Sequence, residues 1–319
     1  MSAAGGRRFS FPLRFFKPFL YCDFRSDKIM FLQQLVTGIS VGGIYALLAT
    51  GYSLIYSLLD FSNWAHGEFA MVSAYVAIVL SNIMGMPFVL AAIGGMAGGA
   101  LVSFLCERFA YRRIRRNGAP NMFLMIAAMG LSNVFQQAAN LIFSGQYRSY
   151  PFKLPVSTIK VASAYIGVLD LVSLAITAVI ITVLVYLINK TQFGLNVRAI
   201  ACNAHAAKVL GVKVDRCIAT VFVLAGALAG VAGVLYGMKY NVFPTMGNVG
   251  LKAFIASVIG GLGSVPGAIV GAIILGVIET FVSAFISSSL RDFFSFALLI
   301  VLLLVKPSGL FGVDVQDKA

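Results

Sequence analysis

The chain has 319 residues, of which 60% are hydrophobic and only 11% are charged, whereas an ordinary soluble domain carries roughly 25% charged residues. So much apolar sequence excludes a soluble globular protein and predicts an all-α polytopic membrane protein. Lys and Arg outnumber Asp and Glu by 24 to 11, and the basic residues fall in the gaps between apolar segments. This placement indicates a topology signal and argues against nucleic-acid binding.

The chain opens with a basic extension, residues 1–28. It has neither the uninterrupted apolar stretch nor the cleavage site of a secretory signal. Its aromatic and basic part, Phe11–Tyr21, fits either a segment on the membrane surface or a solvated tail. We therefore predict this extension, a transmembrane domain over residues 29–312, and a cytoplasmic tail over 313–319.

Seven apolar stretches are candidate membrane spans, since a spanning helix needs about 20 mainly apolar residues. An eighth stretch, Lys252–Phe285, is too long for one span and contains a Gly-Pro run. If its two halves are counted separately, the chain has eight or nine membrane-crossing helices with discontinuous segments. The seven stretches are Phe31–Leu59, Phe69–Met86, Val89–Cys106, Met122–Phe143, Leu171–Asn189, Cys217–Met238 and Phe293–Val305.

Two basic segments orient these spans. Glu107–Asn117 contains five arginines and Lys190–Arg216 contains five basic residues, so both are predicted to be cytoplasmic. The intervening segment Ser144–Asp170 then lies outside, as a small ordered loop. Three spans before the first basic segment place the N-terminus outside, whereas the positive charge of residues 1–30 favours the inside. A further break within the glycine-rich stretch Phe31–Leu59 would reconcile the two.

Glycine and proline also predict a break in the eighth stretch. Pro lacks a backbone donor and Gly leaves the chain free to turn, so Lys252–Phe285 is read as two short helices joined by a break. A single kinked helix is the alternative. Glycines at four-residue spacing in several spans predict tight helix packing or a dimerisation face. The residues that form the break are Gly260, Gly261, Gly263, Pro266 and Gly267.

A polar interruption at Asp60–Glu68 separates two apolar stretches. It is either a discontinuous helix end that lines a polar path or a plain interfacial loop. Glu279 lies deep in a predicted helix and should face protein or a cavity, whereas Lys239 and Lys252 are predicted to extend to the membrane surface. Our candidates for the translocation path are Asn63, His66, Glu68 and Glu279.

Motifs of catalysis are missing from the sequence. It contains no phosphate-binding loop of the G-x-x-x-x-G-K-[ST] type. Its two histidines, His66 and His205, fall in different compartments, which argues against a histidine metal site or a catalytic triad. We therefore predict a transport subunit without catalytic residues, bound metal or cofactor.

The cytoplasmic segment Lys190–Arg216 is long enough to suggest a function. Helix-forming residues run from Val197 to Leu210, and Gly211 stands where a helix would stop. The apolar spacing suits either docking in a groove of a partner or a helix lying on the membrane surface.

Four segments together resemble the permeases of branched-chain amino acid ABC transporters, specifically the first of the two permease types of that system. The resemblance covers roughly residues 30–312, and the runs Asn63–Glu68 and Gly260–Ala268 are specific in combination. The segments are Gly38–Ala77, Arg198–Val212, Lys252–Glu279 and Ser295–Gly312.

The resemblance implies a type II-like ABC importer permease, multi-pass in the bacterial inner membrane. Its implied partners are a second, similar permease, two cytoplasmic ATPase subunits that hydrolyse ATP, and a periplasmic substrate-binding protein. The binding protein is expected to supply most specificity, which leaves the permease cavity bland. An acidic pair that many members carry near Cys202 is absent. The implied residues of ATPase coupling are Arg198, Ala199, Asn203, Ala207, Gly211 and Val212.

Two other functions stay open at this point. A sister family imports urea or short amides with very similar permeases. An ion-driven secondary transporter, with Glu68 or Glu279 as the proton carrier, belongs to a different class.

Overall fold

A computed structural model describes residues 24–152, 158–161 and 164–312. The segment Phe11–Tyr21 and the tail 313–319 lie outside the described residues, and the domain boundaries remain predictions. The first half of the described chain contains α1 (Phe24–Leu59), α2 (His66–Ile78), α3 (Phe88–Cys106), α4 (Arg112–Arg116) and α5 (Asn121–Phe143), followed by β1 (Thr158–Val161) and β2 (Ala164–Gly167). The second half contains α6 (Val168–Lys190), α7 (Gln192–Cys202), α8 (Ala204–Val209), α9 (Val214–Tyr240), α10 (Val249–Gly260), α11 (Val265–Phe285) and α12 (Arg291–Val305).

Short turns of other helical types extend these helices. π-helical turns at Val79–Ile83 and Glu107–Tyr111 continue α2 and join α3 to α4. 3-10 turns at Pro244–Asn248 and Ser288–Leu290 lead into α10 and α12.

Eight helical segments among the described residues are long and apolar enough to cross a membrane. The short helix α10 is not one of them, because its 12 residues extend only about 18 Å. Eight full spans and one half-crossing helix agree with the predicted eight or nine elements.

Helix α1 is continuous over its 36 residues, so a break within Phe31–Leu59, which would have reconciled the two signals for the N-terminus, is absent. Its glycines serve close packing instead. A Cβ atom at Gly42 would lie 2.8 Å from the Cα of Ile273, and one at Gly38 would lie 2.9 Å from the Cα of Val277. Lipid provides no hydrophobic drive for helix association, and such contacts between backbones replace it.

One aspartate joins the two predicted cytoplasmic segments. The Asp215 carboxylate accepts from Arg112 at 2.8 Å, from Arg115 at 3.0 Å and from Arg116 at 2.9 Å. We call this the basic end of the bundle, and it is predicted to be cytoplasmic because cytoplasmic loops carry the excess of Lys and Arg.

A second aspartate marks the opposite end. Asp170 accepts from Lys239 at 2.5 Å and from Thr37 at 3.2 Å. Because Thr37 is near the start of α1, that helix runs from the opposite end to the basic end. The prediction that Lys239 extends to the membrane surface is therefore wrong, since its amine is paired inside the protein.

The segment between α5 and α6, which was predicted to be a small ordered loop on the outer side, contains a short ribbon. β1 and β2 form an antiparallel ribbon in which Ile159 faces Ile166. The Tyr150 hydroxyl donates to the carbonyl of Ala74 at 3.1 Å and fastens the segment to α2.

Candidate functional site

The polar interruption forms a non-helical segment, residues 60–65, between α1 and α2. Asn63 is 1% exposed, and its side-chain oxygen accepts from the Ala65 N–H at 3.2 Å and from the Tyr111 hydroxyl at 2.9 Å. Such a location inside the protein contradicts the interfacial-loop interpretation. We call residues 60–65 the polar break.

His66 fastens the start of α2 to α1. Its Nε2 atom lies 3.1 Å from the carbonyl oxygen of Leu48 and must carry the proton, because a carbonyl only accepts. The ring is fully buried and makes edge contacts with Tyr52 and Phe69. His66 therefore holds the polar break in place.

A cavity of about 130 Å³ lies beside the polar break. It has room for about four water molecules, at about 30 Å³ each. Helices α1, α2, α5 and α10 all contribute to its wall. It is lined by Tyr52, Asn63, Trp64, Gly67, Glu68, Ser132, Gly247, Asn248, Gly250, Leu251 and Phe254.

Four lining residues have a buried polar atom without a hydrogen-bond partner among the described residues: the Tyr52 hydroxyl, Asn63 Nδ2, Trp64 Nε1 and Glu68 Oε2. The other carboxylate oxygen of Glu68 accepts from the Ser132 hydroxyl at 3.1 Å. A buried polar group without a partner costs about 1–3 kcal/mol. Four such groups on the residues that line one cavity indicate a site built for a polar occupant.

Glycines allow the start of α10 to approach the start of α2. A Cβ atom at Gly250 would lie 2.7 Å from the Cα of Gly67, and one at Gly247 would lie 2.2 Å from Glu68 Oε2. The first turn of α10 therefore presents its backbone to the cavity. A helix N-terminus carries a partial positive charge, which favours negatively charged groups nearby.

Glu279 lies elsewhere in the protein. Its carboxylate accepts from the Tyr45 hydroxyl at 2.9 Å and from the Ser295 hydroxyl at 2.6 Å, and it pairs with Lys252. Lys252 also binds Asp292 at 2.6 Å. The prediction that Lys252 extends to the membrane surface is therefore wrong. Glu279 is buried in protein, as its sequence position indicated.

A second cavity, of about 280 Å³, lies next to Glu279. It includes Thr37 and Tyr240, which places it toward the opposite end of the bundle. The structure therefore brings Asn63 and Glu68 together at one cavity and places Glu279 at another. The lining residues are Gln34, Thr37, Val41, Tyr240, Glu279, Thr280, Ser283, Ala284 and Arg291.

The Gly-Pro run separates α10 from α11, which excludes a single kinked helix. Gly261 and Gly263 have φ angles of +106° and +84°, a region that favours glycine. Pro266 stands in the first turn of α11, where its missing N–H is no loss. The Ser264 hydroxyl caps that helix by accepting from the Gly267 N–H at 3.2 Å.

The C-terminal part of the described chain covers this second break. The N–H of Leu310 donates to Ile259 at 2.9 Å, and that of Phe311 donates to Gly260 at 2.9 Å. Gly271 packs so closely that an added Cβ would lie 2.2 Å from the Ala256 carbonyl oxygen. We call residues 260–267 the glycine break.

The segment after α6, which is predicted to be cytoplasmic, forms two helices, so the single helix expected from Val197 to Leu210 is wrong. Asn203 is extended at φ −159°, and its side chain accepts from the Ala206 N–H at 2.9 Å. Asn competes with the backbone in this way and caps helices better than it continues them. Gly211 has a φ of +88° and ends α8, as expected.

The coupling residues implied by resemblance do not share one surface. Ala207 is 2% exposed and packs inward, while Arg198 donates to the carbonyl of Ile188 at 2.9 Å at the end of α6. The large exposed apolar side chains here are Val209, at 76%, and Leu210, at 83%. Ala199 and Val212 are half-buried, and Asn203 and Gly211 are exposed.

Sequence reasoning did not single out Trp64, Ser132 or the glycines at the start of α10. Trp64 is the only tryptophan of the chain and lies within the polar interruption. Ser132 begins a polar group on a membrane span, with Asn133, Gln136 and Gln137 after it. The positions of Trp64 and Ser132 are therefore recognisable in the sequence. The contact between α2 and α10 that brings them to one cavity joins residues far apart in the chain and is not.

Comparison with known proteins gives consistent matches over most of the chain. The family described as branched-chain amino acid transport system, permease component, matches residues 34–303. The high-affinity branched-chain amino acid transport system permease protein BraD of Pseudomonas aeruginosa is 36% identical over 302 residues, covering 90% of this chain and 98% of that protein. The corresponding protein LivH of Escherichia coli K12 is 35% identical over 314 residues, covering 91% and 98%. The fructose import permease protein FruF of Bifidobacterium longum is 27% identical over 254 residues, covering 76% and 67%.

Proposed function

The chain belongs to the family of permease components of branched-chain amino acid transport systems, and we propose that it is the membrane-spanning permease of an ATP-driven importer for these amino acids. It is a multi-pass protein of the bacterial inner membrane with eight candidate spans among its described residues. The observation that carries the proposal is the near full-length similarity to two such permeases. Within this proposal ATP hydrolysis belongs to partner subunits.

The proposed contact with the ATPase subunits is made by α8. This helix is on the segment between α6 and α9, at the basic end, and its last residue, Val209, is exposed next to Leu210, which follows the helix. Exposed apolar pairs on a short helix suit insertion into a groove of a partner protein. The buried side of α8 is held by Ala207, and its end is set by Gly211.

The proposed complex also contains a second permease and a periplasmic binding protein. Helices α5 and α12 bury little of their surface within this chain, which leaves faces for another membrane subunit. The binding protein would dock at the opposite end, where the outer segment and the cavity beside Glu279 lie. In this proposal the substrate passes through the cavity beside Glu68 and the cavity beside Glu279 on its way across the membrane.

In the proposed mechanism, closure of the ATPase dimer moves α7 and α8 as one element. Asp215 ties the end of this segment to the arginines of α4, so the movement reaches the end of α3 as well. Access to the cavities then alternates between the two sides of the membrane.

The direct test is reconstitution of the chain with its genetically linked partners in proteoliposomes. Uptake of radiolabelled leucine that requires both ATP and the binding protein is the expected result. Uptake of urea in place of leucine would favour the sister family. Leucine uptake that survives loss of ATP but collapses with an uncoupler would favour a secondary transporter, and failure of ATPase subunits to co-purify would agree with it.

A double variant tests the contact through α8. Replacement of Val209 and Leu210 by serine should abolish stimulation of ATP hydrolysis by loaded binding protein, while membrane insertion stays normal. His205→Ala, also exposed on α8, is the matched control and should keep wild-type stimulation. Normal stimulation in the double variant would contradict docking through this helix.

A further inference from the structure

We propose that the cavity beside the polar break binds the zwitterionic headgroup of an α-amino acid, with the ammonium group on Glu68 and the carboxylate on Asn63 and Trp64. This inference rests on the proposed function for the substrate class. It changes the expectation of a bland permease cavity, because it assigns a recognition site to named side chains.

The first argument is a missing cation. Four carboxylate residues are buried in the described part of the chain, and three of them have a cationic partner there. Glu68, at 3% exposure, has only the Ser132 hydroxyl and one free oxygen. A buried carboxylate without a counter-charge is costly, so its partner is expected to arrive with the occupant. The three pairs are Glu107 with Arg115, Asp170 with Lys239, and Glu279 with Lys252.

The second argument is the direction of the free donors. The oxygen of Asn63 already accepts two hydrogen bonds, and this fixes its amide with the NH2 group free. Trp64 Nε1 can only donate. Asn63 and Trp64, each with an unpaired N–H group, line the cavity together with the positive N-terminus of α10, and a carboxylate matches these donors.

The same donors argue against a bare metal or sodium ion. Such cations require several oxygen ligands, whereas the free groups of Asn63 and Trp64 are N–H donors, which cannot bind a cation. An occupant with one positive and one negative group can pair with Glu68, Asn63 and Trp64 at once, and the Tyr52 hydroxyl can donate or accept.

Size and shape agree with a headgroup. A volume of about 130 Å³ suits an ammonium and a carboxylate on one carbon, with the side chain extending toward the apolar wall. That wall includes Leu251 and Phe254, whose ring lies 5.7 Å from the ring of Trp64. The site therefore binds the ammonium and carboxylate groups that all α-amino acids share, while the substrate side chain makes only apolar contacts.

The single tryptophan of the chain makes the test direct, because all tryptophan emission arises at the cavity. The full chain is reconstituted in phosphatidylethanolamine–phosphatidylglycerol vesicles and titrated with leucine. We expect a saturable change of Trp64 emission, with an apparent dissociation constant that Glu68→Gln raises about tenfold or more. Glu107→Gln, which removes a buried carboxylate paired with Arg115, is the matched control and should leave the leucine response unchanged.

Analogues that lack one charge test the two halves of the site. 4-Methylpentanoate lacks the ammonium group and 3-methylbutylamine lacks the carboxylate, and both should bind more weakly than leucine. Glu68→Gln should not weaken the binding of 4-methylpentanoate further. Glu68→Asp keeps the charge and should retain more leucine binding than Glu68→Gln, which separates recognition from a folding defect.

Several results would overturn the inference. They are the absence of a saturable response to leucine, equal leucine affinity in Glu68→Gln, and a response to sodium chloride alone. A reconstituted transporter that imports leucine equally well with wild-type and Glu68→Gln chains would also overturn it, and the proposed function would stand. Conversely, a leucine response of Trp64 in a chain whose complex imports no leucine would refute the proposed function and keep the site.

Discussion

The polar break and the glycine break interrupt the helices of this bundle in two different ways. At the polar break, Asn63, Trp64 and Glu68 each leave one polar atom without a partner beside a cavity. At the glycine break, Ser264 caps α11, and the backbone of Leu310 and Phe311 satisfies the end of α10. Non-helical backbone at membrane depth is tolerated only where protein or a cavity covers it. The polar break lies beside a cavity, whereas the glycine break is covered by protein.

This difference separates structure from function at sites that look alike in sequence. The glycine break is closed by the chain itself, so changes near it should reduce the stability of the fold. The polar break is left incomplete by the chain, so changes that face its cavity should reduce transport more than stability. The following predictions test this distinction on the helices that flank each break.

The largest effect is expected for Lys252→Met on α10. The change removes the cation in closest contact with the buried Glu279 carboxylate and leaves only Arg291, whose Nε lies 4.0 Å away, so it should reduce the free energy of unfolding by about 3 kcal/mol. The double variant with Glu279→Gln should recover much of this loss. Chemical unfolding of the purified chain in detergent measures both, and wild-type stability of Lys252→Met would show that its amine resides at the membrane surface.

A smaller loss is expected for Gly271→Val on α11. The new Cβ would lie 2.2 Å from the Ala256 carbonyl oxygen, so α10 and α11 must move apart at a cost of about 1–3 kcal/mol. Gly130→Val is the control, since an added Cβ at Gly130 on α5 meets no atom within 4 Å. Equal thermal stability of the two variants would contradict close packing at the glycine break.

The smallest effect is expected for Tyr111→Phe beside the polar break. It removes the hydroxyl that donates to Asn63 and should cost about 1 kcal/mol, because the Ala65 N–H still bonds the same oxygen. Tyr186→Phe, at an exposed position of α6, serves as the control and should be neutral. A loss as large as that of Lys252→Met would mean that the polar break also supports the fold.

Sequence reasoning recovered the parts of the fold that depend on local composition. Apolar length gives the spans, and the run from Gly260 to Gly267 gives the separation of α10 from α11, because Gly and Pro act on their own backbone. It erred where a residue serves a distant partner. Lys239 and Lys252 suggested surface positions, yet they pair with carboxylates on other helices. The glycines of α1 left a break open, whereas in the structure Gly38 and Gly42 pack against α11.

The candidate site was recovered in part for the same reason. The polar character of Asn63 and Glu68 is visible in a single stretch, so the stretch was identified. Its cavity is completed by α5 and by the first turn of α10, more than 60 and 170 positions further along the chain. The contact between Gly67 and Gly250 cannot be predicted from a local pattern. A glycine in a membrane span is compatible with close packing against any other helix of the bundle.

The cluster around Asp215 has a consequence for how the protein is made. In the predicted topology, the excess of Lys and Arg holds each basic segment on the cytoplasmic side while the neighbouring spans insert, and the acidic residues Glu107 and Asp215 change that signal little. Once α9 packs beside α3, the arginines of α4 bind Asp215 and fix the start of α9 to α4. The same charges therefore have two successive roles. They act first as a topology signal during membrane insertion and later as an ion-pair cluster that stabilises the folded protein.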